Sequence, residues 1–239
     1  MKIGIISDIH SNLEALKTII NKFNEENVDL ILCAGDLIGL GPHPNEVVEF
    51  VSNLDNFICV LGNHDRYLLE GLPEFFPNKE NMSKEEKEHH EFIHNLLSDK
   101  SKQYLKSLPL IKEIKVKEHS LILLHYYMNE NNEYKNYKHN PSFKELEEMF
   151  SKYNANIIVY GHNHNRSVLN EFDKYFINPG SLGCPSKDKN IARALILKIN
   201  EKISFNFIDY EYNVYNVLKD IEKLNFPSKD EILKIFYGV

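Results

Sequence analysis

Residues 1–36, MKIGIISDIHSNLEALKTIINKFNEENVDLILCAGD, contain the pattern that decides the fold. Ile3–Ser7 is a short apolar run typical of a buried strand. Leu13–Asn24 follows with apolar residues at helical spacing, and Leu30–Ala34 is a second buried strand. A strand, a helix and a strand in this order predict a parallel sheet with a crossover helix.

The alternation continues through a helix predicted at 46–52 and a third strand predicted at 57–61. In open parallel sheets, binding sites form at the carboxyl ends of the strands. Asp8, Asp36 and Asn63 each follow such an end. These positions therefore predict a functional site at one edge of the sheet.

A helical insert is predicted at about residues 66–110. Leu72–Asn81 carries two prolines and is predicted to be a loop. Ser83-x-x-Glu86 is a capping box that opens a helix to about Leu97, and a second helix is predicted at 100–107. The insert could cover the site or serve as a plain surface connection, and the sequence leaves both open.

Shorter strands are predicted after Pro109, together with a loop at 126–140 that is rich in Asn, Tyr and Glu. The predicted strands are 111–117, 120–125, 157–160, 175–177, 192–199 and 203–210. A helix is expected from Ser142 to about Tyr153, and two more at about 213–237, the last capped by Ser228.

The composition of this 239-residue chain, with 42% hydrophobic and 26% charged residues, is typical of a globular protein. A net charge of −7 argues against an extended nucleic-acid-binding face, which would need Lys and Arg. No apolar run is long enough to span a membrane, and the first residues become polar too soon for a signal peptide. The three cysteines show no CxxC spacing, and we expect them to be reduced in a cytoplasm.

Five short motifs supply potential metal ligands: Asp8-x-His10, Gly35-Asp36-x-x-Gly39, Gly62-Asn63-His64-Asp65, His125 and Gly161-His162-Asn163-His164. Carboxylate, imidazole and amide groups gathered from several strand ends suit a two-metal hydrolytic site. Asp8 and His10 are two residues apart, which on an extended segment would direct both side chains to one side. Taken singly, each residue also fits an ordinary role such as a helix cap, a turn or a structural histidine.

In this order the motifs resemble the signature of the calcineurin-like metallophosphoesterase family. The resemblance covers roughly residues 1–200, and the run at residues 35–46 looks like a bacterial and archaeal subgroup of small phosphodiesterases. It implies an α/β fold with four layers, α-β-β-α, in which two mixed sheets pack face to face. We expect one such domain over residues 1–239, with a phosphoric ester hydrolase activity.

The resemblance also implies two ligand sets that share Asp36. The first metal would be held by Asp8, His10, Asp36 and His164, and the second by Asp36, Asn63, His125 and His162. A hydroxide between the metals would be the nucleophile, and His64 would protonate the leaving oxygen with Asp65 orienting it. Manganese is the first choice by resemblance, while mixed nitrogen and oxygen ligands also permit iron, zinc, cobalt or nickel.

Substrate contacts are suggested for four residues. Arg66 and Arg166 follow site motifs and have the forked geometry that suits a phosphate, or they are surface charges. Tyr126 stands where the family usually has Gly and could stack on a base or pack at a hairpin end. His43 could touch substrate or be a turn residue. A solvated helix face is favoured over a metal site for three insert histidines, His89, His90 and His94.

The expected substrate is a small phosphodiester, phosphomonoester or phosphoanhydride, such as a nucleotide. Two other functions stay open: a non-catalytic metal-binding scaffold for protein interactions, and a protein phosphatase. The presence of His64 and of every implied ligand favours catalysis.

Overall fold

The computed structural model describes residues 1–72, 83–184, 190–225, 227 and 229–238. The strands are β1 Lys2–Ile6, β2 Leu30–Cys33, β3 Phe57–Cys59, β4 Ile111–Val116, β5 His119–Leu124, β6 Ile157–Val159, β7 Ser167–Glu171, β8 Lys174–Asn178, β9 Ile191–Ile199 and β10 Ile203–Glu211. The helices are α1 Leu13–Glu25, α2 Pro44–Ser52, α3 Asn63–Glu70, α4 Lys84–Leu96, α5 Asp99–Ser107, α6 Phe143–Met149, α7 Val214–Leu224 and α8 Lys229–Ile232, with a π-helical turn at Leu233–Tyr237.

These strands form two mixed sheets of five strands each. The first has the order β10-β9-β1-β2-β3, in which β1, β2 and β3 are parallel. The second has the order β4-β5-β6-β8-β7, in which β5, β6 and β8 are parallel. The parallel sheet that the sequence predicts from its first strands is confirmed.

The two sheets pack face to face because alternate residues of each strand point to opposite sides. Ile3 and Ile5 are fully buried between the sheets together with Leu121 and Val159, and each buried isoleucine contributes roughly 1.5–3 kcal/mol. Ile6 points the other way, into the core under α1 and α2. The remaining face of the second sheet is covered by α6. The predicted four-layer α-β-β-α arrangement is confirmed.

Several element boundaries differ from the sequence predictions. Helix α3 was not predicted, and it begins at Asn63 with the Asp65 carboxylate accepting a hydrogen bond from the Gly62 amide at 2.9 Å. Strand β7 was also not predicted, because its half-exposed residues show no apolar alternation. Helix α6 ends at Met149, short of Tyr153. The predicted loop at 72–81 falls mostly outside the described residues, and so does the Ser228 cap.

The three cysteines are free and buried. Cys33 and Cys59 lie opposite each other on β2 and β3 and belong to the apolar core. Within the described ranges, the structure contains no helix that is both long and apolar enough to cross a bilayer.

Candidate metal centre

The seven predicted metal ligands lie together where the carboxyl ends of the strands of both sheets meet. Five of them are buried, and His162 and His164 are half-buried. The ligands follow β1 (Asp8, His10), β2 (Asp36), β3 (Asn63), β5 (His125) and β6 (His162, His164). Packing of the two sheets therefore brings distant parts of the chain to one point.

The first ligand set is grouped around two histidines. The Nε2 atoms of His10 and His164 are 3.1 Å apart, and Nε2 of His164 lies 3.5 Å from Oδ1 of Asp8. Nε2 of His10 is also 3.9 Å from Oδ2 of Asp36. Burial, followed by the neighbouring His164, lowers the pKa of His10 well below its usual range. A neutral imidazole with an available lone pair is the form that binds a metal.

The second ligand set is grouped around an amide oxygen. Oδ1 of Asn63 lies 2.8 Å from Nε2 of His125 and 2.8 Å from Nδ1 of His162. Oδ2 of Asp36 lies 3.3 Å from the same His125 Nε2. Asp36 therefore stands between the two sets. Its Oδ2 atom faces His10 of the first set and His125 of the second.

The electron-pair donor atoms around Nε2 of His125 suit a bound cation. Its Nδ1 donates a hydrogen bond to the Ala34 carbonyl at 2.7 Å, so in the neutral ring Nε2 carries a lone pair. That lone pair points at the oxygens of Asn63 and Asp36, which are also electron donors. Burial lowers the pKa of His125, but the Asp36 carboxylate outweighs it and the pKa rises to about 10. The Asp36 carboxylate thus favours a positive charge at this position, either a proton or a metal ion.

The metal-free protein is expected to lose thermal stability as the pH rises from about 6.5 towards about 10. Folded His125 keeps a proton in this window that the unfolded chain releases, so the free energy of unfolding falls with increasing pH. Thermal melts of metal-stripped protein at several pH values would measure the slope. The Asp36→Asn variant removes the charge that holds the proton and should flatten it. Equal slopes in the two proteins would contradict the prediction.

Five of the ligands have backbone torsions in the left-handed region. The φ angles are 54° for Asp8, 49° for His10, 53° for Asp36, 75° for His162 and 56° for His164. The expectation that Asp8 and His10 lie on an extended segment is therefore wrong, although the two side chains do converge, with Nε2 of His10 4.0 Å from Oδ1 of Asp8. Such torsions cost on the order of 1 kcal/mol or more each and cluster at functional sites, where the surrounding structure holds them.

Two motif glycines allow the backbone to approach the ligands closely. A Cβ atom on Gly62 would lie 2.0 Å from Oδ1 of Asp36, and one on Gly161 would lie 1.9 Å from Oγ of Ser7. Any larger residue at position 62 would displace the carboxylate that the two sets share.

The predicted pairing of Asp65 with His64 is not what the structure shows. The Asp65 oxygens accept hydrogen bonds from the amides of Gly62, at 2.9 Å, and Ile38, at 3.0 Å. Burial raises the pKa of Asp65 to about 7, with the Asp36 charge adding to the shift. Nδ1 of His64 instead lies 2.8 Å from Nε2 of His90 on α4. Asp65 therefore fixes the start of α3, and the ring of His64 has a different neighbour.

The expectation of a solvated histidine face on α4 is wrong for two of its three residues. His89 and His90 are 0% and 1% exposed, because α4 packs against α2 and α3. His94 is half-buried, and its Nδ1 contacts the carbonyl oxygen of Leu68. The insert therefore reaches the site through His90.

The two arginines that were expected near substrate both have protein partners. Nη1 of Arg66 donates to the Asn132 carbonyl at 2.6 Å, and its guanidinium lies 5.7 Å from the centre of the Tyr134 ring. Nη1 of Arg166 lies 2.7 Å from both carboxylate oxygens of Asp209. A substrate contact by Arg166 would require it to leave this carboxylate.

Tyr126 and His43 also have protein partners. Tyr126 is fully buried, with its ring 4.8 Å from that of His162 and its hydroxyl accepting from the Lys138 amide at 2.8 Å. The idea that it stacks on a base is therefore wrong, since its ring packs against a ligand. Nε2 of His43 lies 3.0 Å from Oδ2 of Asp220 on α7.

Two tyrosines that the sequence did not single out lie beside the second ligand set. The ring of Tyr134 is 5.6 Å from that of His125 and 6.3 Å from that of His162, and its hydroxyl donates to the Leu61 carbonyl at 2.8 Å. Tyr137 is 56% exposed, with its ring 6.0 Å from that of His162. They lie in a segment that the sequence predicts only as a loop, because tyrosines without periodic spacing carry no local signal.

Residues 1–202 match the calcineurin-like phosphoesterase superfamily domain, and the chain belongs to this family of phosphoric ester hydrolases. An uncharacterized protein of Methanocaldococcus jannaschii is 30% identical over 95% of this chain and 94% of its own length. A phosphodiesterase of the same organism is 39% identical, but over only 27% of this chain and 37% of its own. A symmetrical bis(5'-nucleosyl)-tetraphosphatase of Buchnera aphidicola is 42% identical over 29% of this chain and 26% of its own.

Solved structures share the fold over the whole chain. A hypothetical protein from Pyrococcus horikoshii OT3 superposes with a TM-score of 0.83 at 20% identity, covering 99% of this chain and 97% of that one. A metallophosphoesterase from Sphaerobacter thermophilus gives a TM-score of 0.73 at 25% identity, covering 100% and 99%. The packing of two mixed sheets is thus the fold of known metallophosphoesterases.

Proposed function

We propose that the protein is a dinuclear metal-dependent phosphoesterase that hydrolyses a small phosphodiester, phosphomonoester or nucleotide phosphoanhydride. The observation that carries the proposal is the position of Asp36. Its Oδ2 lies 3.9 Å from Nε2 of His10 and 3.3 Å from Nε2 of His125, which belong to different ligand sets. A carboxylate shared by two sets of donors is an arrangement that suits a pair of adjacent ions.

Asp8, His10, Asp36 and His164 would hold one ion, and Asp36, Asn63, His125 and His162 the other. When bound, the ions would lower the pKa of an attacking water and neutralise charge on the phosphoryl oxygens. Manganese is our first choice, and the mixed nitrogen and oxygen donors also suit iron, zinc, cobalt or nickel.

His64 is the group that we assign to protonate the leaving oxygen. Its ring is half-buried and lies 4.8 Å from that of His10, so it is next to the first ligand set. Its amide donates to Oδ1 of Asp36 at 2.9 Å, which ties the main chain at His64 to the shared carboxylate. Because Nδ1 faces His90, Nε2 is the nitrogen left to transfer the proton. Asp65 contributes by holding the turn at Gly62 that leads into α3.

A small substrate is supported by the surroundings of the ligands. His64, His162 and His164 are the half-buried members of the group, so their side is the one that a phosphate can reach. The exposed ring of Tyr137 stands next to His162 and could support a flat group such as a base. The local similarity to a bis(5'-nucleosyl)-tetraphosphatase and a phosphodiesterase is in keeping with a nucleotide.

The proposal is tested by adding Mn²⁺ back to metal-stripped protein and measuring hydrolysis of bis-p-nitrophenyl phosphate and p-nitrophenyl phosphate. We expect turnover that depends on metal and saturates near two ions per chain. The ratio of diester to monoester rates then selects the substrates to screen, with a phosphopeptide included for the protein phosphatase alternative. Absence of turnover with every metal, in protein that binds two ions, would overturn the proposal in favour of a binding scaffold.

A further inference from the structure

A buried histidine of the insert contacts the proposed acid. Nε2 of His90 lies 2.8 Å from Nδ1 of His64, and the two rings are 4.9 Å apart. His90 is 1% exposed, so the contact is shielded from water on the His90 side. None of the five motifs includes His90, and the second ring nitrogen of His64 stays available for chemistry.

The direction of the hydrogen bond follows from the other nitrogen of His90. Its Nδ1 lies 2.8 Å from the carbonyl oxygen of Glu86, one turn earlier on α4. A carbonyl can only accept, so Nδ1 of His90 carries the proton and Nε2 of the neutral ring is an acceptor. Nδ1 of His64 must then donate. Burial lowers the pKa of His90 to about 4, despite the opposing effect of the Glu86 carbonyl, in keeping with a neutral ring.

The helix that carries His90 is fixed in place. Ser83 caps its first turn by accepting from the Glu86 amide at 3.0 Å, and α4 packs on α3, the helix that begins at the metal site. His89, the preceding residue, is fully buried. His90 is therefore a buried acceptor on a capped and packed helix, rather than a solvent-exposed side chain.

We propose that His90 is a positioning residue, which rests on the proposed function of His64 as the acid. By accepting from Nδ1–H of His64 it fixes the ring orientation in which Nε2 points away from α4, towards the leaving oxygen. His64 acts as the acid in its imidazolium form, which gives its Nε2 proton to the leaving oxygen, and the neutral Nδ1–H ring that remains is the tautomer that His90 stabilises. The buried neutral imidazole of His90 thus occupies the position beside His64 in which the sequence predicts Asp65. Orientation of a reacting group within about an ångström is worth on the order of 10²-fold in rate.

Three variants separate positioning from packing. His90→Leu removes the acceptor, and His90→Gln restores one, because its amide oxygen can take the place of Nε2. His94→Leu is the matched control, since it makes the same change one turn later on α4, at a histidine that contacts α3 rather than His64. Metal content and melting temperature are measured for all three.

The kinetic readout compares two diesters that differ in leaving group. p-Nitrophenolate is a weak base and departs from bis-p-nitrophenyl phosphate with little need for protonation. The more basic phenolate of diphenyl phosphate needs a proton to depart. We expect His90→Leu to lower kcat for diphenyl phosphate on the order of 10²-fold, and to lower it much less for the nitrophenyl ester. His90→Gln should recover most of the loss. Equal losses with both esters, or the same pattern in His94→Leu, would show that His90 acts only through packing.

A second readout does not depend on activity. ¹⁵N NMR of the imidazole nitrogens in metal-free protein reports which nitrogen of His64 carries the proton, with the signals assigned by their absence in His64→Ala. We expect a protonated Nδ1 in the native protein and in His90→Gln, and loss of that preference in His90→Leu. A proton on Nε2 of neutral His64 in the native protein would overturn the inference. If the protein shows the expected tautomer but no turnover, the contact between His90 and His64 is supported and the proposed enzyme function is refuted.

Discussion

The Asp36→Asn variant is expected to lose metal-dependent turnover of bis-p-nitrophenyl phosphate and to bind fewer than two ions per chain. Asp36 faces His10 on one side and His125 on the other, so one substitution weakens both ligand sets. Removing an outer partner of a metal ligand already costs about 10- to 100-fold in affinity or activity. Removing the shared ligand itself should cost more than about 10²-fold.

The measurement is metal content after dialysis, together with kcat at saturating Mn²⁺. The matched control is Asp209→Asn, which makes the same exchange at an exposed carboxylate that contacts Arg166. The control should bind two ions and keep its turnover. A variant at Asp36 that still binds two ions and turns over within a few-fold of the native rate would remove the basis of the dinuclear proposal.

The His64→Ala variant is expected to lower kcat by about 10²- to 10⁴-fold, the usual contribution of a general acid, while both ions stay bound. His64 belongs to neither ligand set, and its ring stands at the half-buried edge of the site. The loss should be larger for diphenyl phosphate than for bis-p-nitrophenyl phosphate, because the more basic leaving group needs the proton.

Metal content decides how a loss of activity in His64→Ala is explained. A nitrogen of His64 lies within 4.8 Å of donor atoms of His10 and Asp36, a group that could also hold an ion. If the variant lost an ion together with its activity, His64 would be a ligand and its role as the acid would be refuted. His119→Ala, at the opposite end of β5 from His125, is the control that should change neither quantity.

The fold was predictable, and so was the meeting of the predicted ligands at one point, because the signals for both are local. The alternation of apolar strands and amphipathic helices in the first 61 residues predicts a parallel sheet, and the ends of its strands place Asp8, Asp36 and Asn63 at one edge. Close backbone approach at Gly62 permits only glycine, but the contact that requires it is made with Asp36 on another loop and is therefore tertiary. Helix α3 escaped prediction because its start depends on the Asp65 side chain, and this residue was assigned instead to orienting His64.

The tertiary structure alone decided which partner each side chain has. Arg166 pairs with Asp209, 43 residues away, and His64 meets His90 across two helices, 26 residues away. Tyr134 reaches the Leu61 carbonyl over 73 residues. By itself the sequence determined the alternation of strands and helices near the site and the types of side chain that follow the strand ends, because these signals lie within short stretches of the chain. Hydrogen bonds between distant segments depend on how whole layers pack, and no short pattern encodes that packing.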